Sequence, residues 1–236
     1  MNRIHFIGGE KGGVGKSVMA RVLAQYYIDR GMPFQVFDAD ISHGAMSRYY
    51  AEYTKAVDLG QFESADQIVE QAAETGLTTI VDMAAQASRQ LERWISEAGL
   101  LELATELELG LTFWHVMDDG SDSLKLFRKL LDSYGETARY VVVRNFGRGS
   151  DFSAFDTSEI ASQAQQMGVQ LIDLPGLHPP TMRKIDHYDA SFWAAANNTG
   201  KEHGPSLGLL ERQRVRTWLN KSYAQLDRLH EGFELT

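Results

Sequence analysis

The chain has 236 residues, of which 43% are hydrophobic, which is enough for the core of one large α/β domain. It has no cysteine, which excludes disulfides, thiolate zinc sites and cysteine-bound iron–sulfur clusters, and it has no apolar run long enough to cross a bilayer. The net charge of −9 arises between residues 51 and 110, with 12 acidic against 3 basic residues, because the other 20 acidic and 20 basic residues balance. We therefore expect one domain over residues 1–236, with no nucleic acid bound on the acidic middle segment.

The first predicted element is a short apolar strand at residues 4–7, which leads into a glycine-rich loop and then a helix. The loop reads Lys11-Gly12-Gly13-Val14-Gly15-Lys16-Ser17. Strand, glycine loop and helix in this order are the context of a phosphate-binding P-loop, in which backbone N–H groups and the helix N-terminus attract anions. We predict that Lys16 reaches the β- and γ-phosphates of a nucleotide and that the Ser17 hydroxyl binds Mg²⁺. The alternative is a glycine-rich turn in an ordinary βα unit.

The loop departs from the standard G-x-x-x-x-G-K-S motif in two respects. Glu10 stands where that motif has its first glycine, and a second lysine, Lys11, stands at the front of the loop. The loop therefore resembles the deviant Walker A signature of the ParA/MinD family of ATPases. The resemblance implies ATP and Mg²⁺ as cofactors, and an ATP-bound homodimer in which Lys11 acts in trans on the nucleotide of the partner subunit. It also implies further nucleotide contacts from the rest of the motif and the residue after it, namely Gly12, Gly13, Val14, Gly15 and Val18.

Two carboxylates follow the second predicted strand. The first helix is expected to end near Gly31, and the strand at 34–37 leads directly into Asp38-Ala39-Asp40. Carboxylates at this point belong to the ligand edge of a parallel sheet. The D-x-D resembles the family's switch I, which implies that Asp40 orients the attacking water and that Asp38 supports Mg²⁺ or its waters. Alternatively, both are turn or helix-capping residues.

A third carboxylate ends the next predicted strand. A polar helix at 62–75 precedes the apolar, β-branched strand at 78–82, which closes on Asp82. Beside a P-loop this is a Walker B pattern, so we predict that Asp82 holds Mg²⁺ through a water. The family usually continues with a small residue, proline and glycine, whereas this chain has Met-Ala-Ala-Gln at 83–86. Gln86 either polarises the attacking water or begins the next helix.

The rest of the chain continues the alternation of strands and helices. Hydrophobic periodicity predicts helices at 88–98 and 100–107, a strand at 111–117, a helix with Ser121 as its N-cap, a strand at 138–143, a helix at 158–168, a strand at 169–174 and a helix at 181–196. By the resemblance, Asn145 after the 138–143 strand reads the edge of adenine. The turn with Pro175 and Leu177 is implied to form the other side of the adenine pocket.

The C-terminal helix, at about 206–233, has a stripe of apolar residues at helical spacing: Val215, Trp218, Leu219, Leu226 and Leu229. This spacing is typical of a helix packed on a protein core. Two alternatives are that its arginines contact DNA or a partner, and that it binds a membrane as the basic end of MinD-like proteins does. The acidic end, with Glu231 and Glu234, argues against anionic lipid, so no membrane contact is expected.

Taken together, the elements predict a three-layer αβα P-loop fold around a mostly parallel sheet. The resemblance implies a ParA-like ATPase switch that dimerises on ATP, hydrolyses it slowly and acts in plasmid or DNA segregation. It would act through nonspecific DNA or through a partner protein that stimulates the ATPase. An alternative is a conjugal transfer or mobilisation accessory ATPase that positions a protein complex. Lesser alternatives are a metabolic ATP-dependent carboxylase or amidoligase and a membrane-bound cell-division regulator. Because the sequence enters its first strand without a signal-peptide pattern, we expect a bacterial cytoplasmic protein, associated with the nucleoid or a plasmid.

Overall fold

The structure is a computed structural model that describes residues 3–41, 44–198 and 207–234, with side chains up to residue 229. Its strands are β1 (Arg3–Gly8), β2 (Phe34–Asp38), β3 (Thr54–Ala56), β4 (Thr78–Asp82), β5 (Gly110–Met117), β6 (Arg139–Asn145) and β7 (Gln170–Leu174). They form a seven-stranded sheet in the order β3-β2-β4-β1-β5-β6-β7, and all neighbouring strands run parallel. The expected mostly parallel sheet is thus confirmed, and is parallel throughout the described residues.

Helices cover both faces of this sheet. They are α1 (Lys16–Asp29), α2 (Ala45–Tyr49), α3 (Phe62–Thr75), α4 (Ser88–Glu97), α5 (Leu100–Glu106), α6 (Ser121–Tyr134), α7 (Ser153–Asp156), α8 (Glu159–Gln166), α9 (Pro179–His187), α10 (Phe192–Asn197) and α11 (Leu209–Glu234). One hydrophobic cluster joins the sheet to α1, α2 and α9 to α11, and a second joins it to α3 to α8. The predicted three-layer αβα architecture is confirmed.

The sequence at 49–54 predicts no regular element, but the structure has short ones there. The helix α2 and a 3-10 turn at Ala51–Tyr53 lead into the edge strand β3, which has only three residues. The first residue of β3, Thr54, ties the strand to the preceding helix: its hydroxyl donates to the carbonyls of Met46 and Tyr50, at 3.3 and 2.8 Å. A strand this short has too few residues to show a period of two, so its sequence gave no strand signal.

Two local predictions were wrong. The helix expected at 181–196 is two helices, α9 and α10, separated by a turn in which Asp189 has a φ of +45°. This left-handed conformation is uncommon outside glycine, which is why the apolar spacing alone did not reveal the break. Ser121 is the first residue of α6 rather than its N-cap, a position held by Gly120. The first turn is secured instead by Asp118, which accepts hydrogen bonds from the Gly120 amide and the Ser123 hydroxyl.

The C-terminal helix packs on the protein's own core, as its apolar stripe predicted. Five of its apolar side chains are at most 5% exposed: Val215, Trp218, Leu219, Leu226 and Leu229. The ring of Trp218 meets Phe192 edge-on at 4.8 Å, and its Nε1 donates to the carbonyl of Pro175 at 2.6 Å. Within the described residues, no helix combines the length and the apolar character that a membrane span requires.

The topology gathers the predicted site residues at one edge of the sheet. The central strand β1 lies between β4 and β5, so the loop after β1 is adjacent to the carboxyl ends of both neighbours. Asp38 at the end of β2 is the register partner of Asp82 at the end of β4, and β6 ends at Asn145 on the other side of β5. This is the edge at which open parallel sheets bind ligands.

Candidate functional site

The loop between β1 and α1 has a backbone that only glycine adopts without strain at three positions. Gly9, Gly13 and Gly15 have φ angles of +138°, +79° and +101°, and a Cβ on Gly15 would collide with Nδ2 of Asn145. The carbonyl of Gly15 accepts the first hydrogen bond of α1, from Met19 at 3.0 Å. No described residue accepts a hydrogen bond from the backbone N–H of Gly12, Gly13 or Gly15. These donors and the first turn of α1 are therefore available to an anion.

Lys16 lies buried at the start of α1, only 7% exposed. Its Nζ donates to the carbonyl of Lys11 at 3.1 Å, which folds the side chain back over the loop. Burial lowers the pKa of the Lys16 ammonium, and the charges of Asp82 and Asp40 oppose that change. The ammonium thus lies over the loop, and its contact with the phosphates of a nucleotide stays a prediction.

Asp82 is completely buried, and neither of its carboxylate oxygens accepts a hydrogen bond of ordinary geometry from a described residue. Burial raises its pKa from 3.8 to about 7. The nearby Ser17 hydroxyl and Lys16 ammonium lower the pKa, while Asp38 and Asp40 raise it further. A buried carboxylate without a donor carries a free-energy cost that a bound cation would remove.

The residues present fit a magnesium ion. Mg²⁺ prefers hard oxygen ligands and usually retains several waters, and here the unpartnered Asp82 carboxylate lies beside the Ser17 hydroxyl. Among the described residues, no group of three or more histidine or acidic side chains is arranged to hold a metal.

Asp38 is 1% exposed, and both of its carboxylate oxygens are occupied by backbone donors. Oδ1 accepts from the amide of Asp40 at 3.1 Å, and Oδ2 accepts from the amide of Ser47 at 3.0 Å. In this structure Asp38 therefore organises the turn and holds α2 against β2, which was the alternative reading of the D-x-D pattern. Asp40 is half-buried and acts electrostatically on Lys16. The roles of these two residues toward Mg²⁺ and water remain predictions.

Lys11 makes a contact that the sequence did not indicate. Its Nζ lies 2.6 Å from Oδ2 of Asp118, at the end of β5, and its side chain is 37% exposed. This pairing raises the pKa of Lys11. Burial alone would raise the pKa of Asp118, but hydrogen bonds from Lys11 and Ser123 lower it below the usual range. Asp118 follows β5 in the chain. Because the sequence does not show that β5 neighbours β1, it did not indicate that Asp118 lies beside the loop.

Asn145 connects the loop to β6. Its Nδ2 donates to the carbonyl of Val14 at 2.7 Å, and its Oδ1 accepts from the amide of Gly147 at 2.9 Å. The side chain is only 4% exposed. One N–H of the amide and one lone pair of its oxygen remain for a ligand, so Asn145 can fix the loop and contact a ring edge together.

A cavity of about 270 Å³ borders Asn145. It brings together four residues predicted from the sequence, namely Val18, Asn145, Pro175 and Leu177. Its size is close to the lower end of typical small-ligand pockets, about 300 Å³. The remaining wall comes largely from α9, with Met182, Arg183 and Asp186. Sequence reasoning missed this wall because it assigned α9 no role.

Gln86 lies in the turn before α4, is exposed and has a φ of +64°. It does not begin the helix, because α4 starts at Ser88 with Ala87 as its N-cap. A left-handed glutamine is uncommon and often accompanies a functional turn. Its action on the attacking water remains a prediction.

Comparisons with known proteins agree with this geometry. Residues 5–174 match the sequence profile of the CobQ/CobB/MinD/ParA nucleotide binding domain. Protein MobD of Acidithiobacillus ferrooxidans is 26% identical over 181 residues, covering 74% of this chain and 78% of MobD. Protein TraL of Escherichia coli is 26% identical over 240 residues, covering 96% of this chain and 98% of TraL. Among solved structures, the MinC:MinD cell division protein complex of Aquifex aeolicus is similar, with a TM-score of 0.55 at 13% identity over 93% of this chain and 96% of that chain. At that identity the structural likeness concerns the fold alone.

Proposed function

Because the chain belongs to the CobQ/CobB/MinD/ParA nucleotide-binding domain family, we propose that it is an ATPase whose nucleotide state controls its dimerisation. The observation that carries the proposal is the buried Asp82 carboxylate, which accepts no hydrogen bond of ordinary geometry from a described residue and lies beside Ser17 and Lys16 at the carboxyl edge of the sheet. A folded chain keeps such a group at a cost of several kcal/mol unless a ligand compensates it. A nucleotide with its Mg²⁺ is the ligand that fits these groups.

In this proposal the chain's own residues bind and orient the triphosphate. The free N–H groups of the loop and the first turn of α1 hold the phosphates, and the Lys16 ammonium neutralises the β/γ end. Ser17 and Asp82 hold Mg²⁺, which supplies charge neutralisation of the phosphate oxygens when bound. The adenine is enclosed by four residues that line the base cavity, namely Val18, Asn145, Pro175 and Leu177. Phosphoryl transfer of this kind needs positioning and charge more than covalent chemistry, so slow turnover by a switch is sufficient.

Hydrolysis requires a water positioned in line with the γ-phosphate. We assign this role to Asp40. Its charge is close enough to Lys16 to raise the pKa of that ammonium, and its side chain is less buried than those of Asp38 and Asp82. The two oxygens of Asp38 are engaged with backbone amides, which leaves it as a support for the turn and, through it, for the magnesium shell. Gln86 is the second choice as the water-positioning residue.

Dimerisation is assigned to Lys11. Its ammonium does not contact its own loop but pairs with Asp118 and is partly exposed, so it is able to leave for another acceptor. We propose that the γ-phosphate of the partner subunit's ATP replaces Asp118 as its acceptor in the dimer. Asp118 is 17% exposed and keeps its hydrogen bonds from the Gly120 amide and the Ser123 hydroxyl when the ammonium leaves, so the exchange does not leave this carboxylate without donors.

The setting we propose is conjugal transfer or mobilisation, in which the ATP dimer positions a protein complex. The similarity to proteins named MobD and TraL favours this setting over plasmid partition. The two are separated by titrating Asp40→Ala, loaded with ATP, with random-sequence duplex DNA at low and near-physiological salt. The transfer setting predicts no ATP-dependent binding of duplex DNA. Tight binding that needs ATP and weakens steeply with salt would instead support DNA segregation, because such binding comes from phosphate contacts.

A further inference from the structure

A second concavity, of about 330 Å³, lies directly beside the proposed base cavity and shares Pro175, Leu177 and Trp218 with it. Its outer wall is one face of the C-terminal helix, and we call it the α11 groove. The helix contributes residues at helical spacing: Leu210, Gln213, Arg214, Thr217 and Lys221. The groove therefore extends the base cavity along the first three turns of α11.

Cations line this groove without acidic partners. Arg214 and Lys221 are exposed, and neither forms an ion pair with a described residue. Arg214 is near enough to Glu211 to lower the pKa of that carboxyl, but Glu211 is already paired with Lys184 at 2.8 Å. In a chain with a net charge of −9, this is a local surplus of positive charge facing a concave surface. Such a surface attracts negatively charged groups.

The same surplus continues into the neighbouring base cavity. Arg148 and Arg183 line that cavity, are exposed, and likewise form no ion pair within the part of the chain that the structure describes. The two concavities together thus present four cations along one surface. The acidic residue in the described lining of the two concavities, Asp186, is already paired with Arg21 at 2.9 Å, so the combined surface has a net positive charge.

Apolar exposure at the end of the groove indicates what kind of anion fits. Leu209 and Leu210, at the start of α11, are 71% and 66% exposed. Two rings line the groove: Trp218 is only 4% exposed with its Nε1 engaged with Pro175, and the exposed His178 has its Nδ1 3.2 Å from the Thr181 hydroxyl. Within the described lining the groove therefore offers a nucleobase one imidazole and no open indole, phenol or phenyl face. Single-stranded nucleic acid is bound by exposed rings together with cations, and phosphates gain nothing from leucine. Cations beside exposed leucines suit an acidic protein segment with an apolar anchor.

We propose that the α11 groove docks an acidic helical segment of a partner protein. Carboxylates of that segment bind Arg214 and Lys221, and an apolar side chain packs on Leu210. Arg214 and Lys221 are seven residues apart, or about 10 Å along the helix axis, so two carboxylates at the same spacing on the partner helix meet both cations. Because the groove shares a wall with the base cavity, nucleotide binding in that cavity changes the affinity of the groove for the partner segment. This coupling, unlike the docking itself, rests on the proposed function.

The test is selection of a display library of random 16-residue peptides on the full chain, without nucleotide. The expected result is enrichment of peptides with a net negative charge and at least one leucine or isoleucine. Affinity of the recovered peptides should fall at least about tenfold on Arg214→Glu, as expected for a lost and reversed charge pair. Leu210→Gln should lower the affinity of the same peptides, although it leaves the charges of the groove unchanged.

The matched control is Arg128→Glu, which makes the same charge change at an exposed residue of α6. This helix packs on the opposite face of the sheet from α11, and Arg128 forms no ion pair with a described residue. The recovered peptides should bind this variant as they bind wild type. Enrichment of neutral or basic peptides, an equal loss on both variants, or no enrichment at all would overturn the proposal. Binding of a 16-nucleotide single strand that is lost on Arg214→Glu, without acidic peptide enrichment, would instead assign the groove to nucleic acid.

Loss of the proposed function is distinguishable from loss of this inference. If ATP fails to bind the wild-type chain but acidic peptides still bind the groove, the docking surface stands and the coupling to nucleotide falls. If ATP binds normally and the peptides do not, the docking surface falls alone. Adding Mg-ATP to the peptide titration should change the peptide affinity in wild type and leave it unchanged in Lys16→Ala.

Discussion

Replacing Asp82 with asparagine should stabilise the protein in the absence of nucleotide and Mg²⁺. Burial raises the pKa of this carboxyl from 3.8 to about 7, although the nearby Ser17 hydroxyl and Lys16 ammonium favour its charged form. The unfolded chain releases the proton near pH 4, whereas the folded chain keeps it up to about pH 7. Between these values the folded state binds more protons, so its contribution to stability falls as pH rises. The rise in pKa corresponds to a cost of roughly 4 kcal/mol, complete above pH 7.

The assay is urea unfolding of wild type and Asp82→Asn in EDTA, at pH values from 4 to 8. The quantity of interest is the difference between the two proteins at each pH. Wild type alone is insufficient, because burial also lowers the pKa of His115 to about 4, and that group changes stability in the opposite direction over a similar range. We expect the variant's advantage to be near zero at pH 4 and to reach about 2–4 kcal/mol at pH 8.

Asp132→Asn is the matched control, since it removes an exposed carboxylate that has no ion-pair partner among the described residues. Its unfolding free energy should stay within about 0.5 kcal/mol of wild type at all pH values. Adding Mg-ATP should reverse the order, stabilising wild type more than Asp82→Asn, because only wild type has the carboxylate for the ion. If Asp82→Asn is less stable than wild type at pH 8 in EDTA, then the Asp82 charge has a partner in the folded chain and the reasoning fails.

Three further substitutions address the nucleotide site. Lys16→Ala should lower ATP affinity at least about tenfold, measured with a fluorescent ATP analogue, because it removes the buried charge from the phosphate cradle; unchanged affinity would contradict the P-loop assignment. Asn145→Ala should lower ATP affinity about tenfold, since it breaks the 2.7 Å bond to the Val14 carbonyl as well as the base contact; an effect equal for ATP and inorganic triphosphate would limit its role to the loop. Lys11→Ala should keep ATP affinity within about threefold of wild type but abolish the ATP-dependent dimer, and a normal dimer by light scattering would refute action in trans.

The parts of the fold that followed from the sequence are those fixed by local signals. The helices α1 and α3 end where expected because Gly31 and Gly76 adopt the left-handed conformation that closes a helix, with φ angles of +63° and +67°. The longer strands were also predicted correctly, because strands buried on both faces of a parallel sheet consist of apolar or β-branched runs that are visible in the sequence. The P-loop was recognisable because its glycines, lysine and serine are consecutive.

Other features depend on contacts between distant segments and were not predictable from local patterns. Arg21 is 3% exposed in α1, with its guanidinium 3.5 Å from the ring of Tyr49 and paired with Asp186 at 2.9 Å. Nothing in the sequence around Arg21 distinguishes it from a surface arginine. The pairing of Lys11 with Asp118 likewise spans 107 positions and required the order of strands. The candidate site was therefore predictable at its phosphate end and only in part at its base end, where α9 supplies the wall.

The measurement that tests the central claim most directly is the mass of Asp40→Ala in solution, by light scattering, with Mg-ATP and with Mg-ADP. Because this variant should bind ATP without hydrolysing it, it should have twice the monomer mass with ATP and the monomer mass with ADP. Turnover should be lost in the same preparation, while ATP binding is retained. A monomer at saturating ATP would contradict the proposal that nucleotide state controls dimerisation.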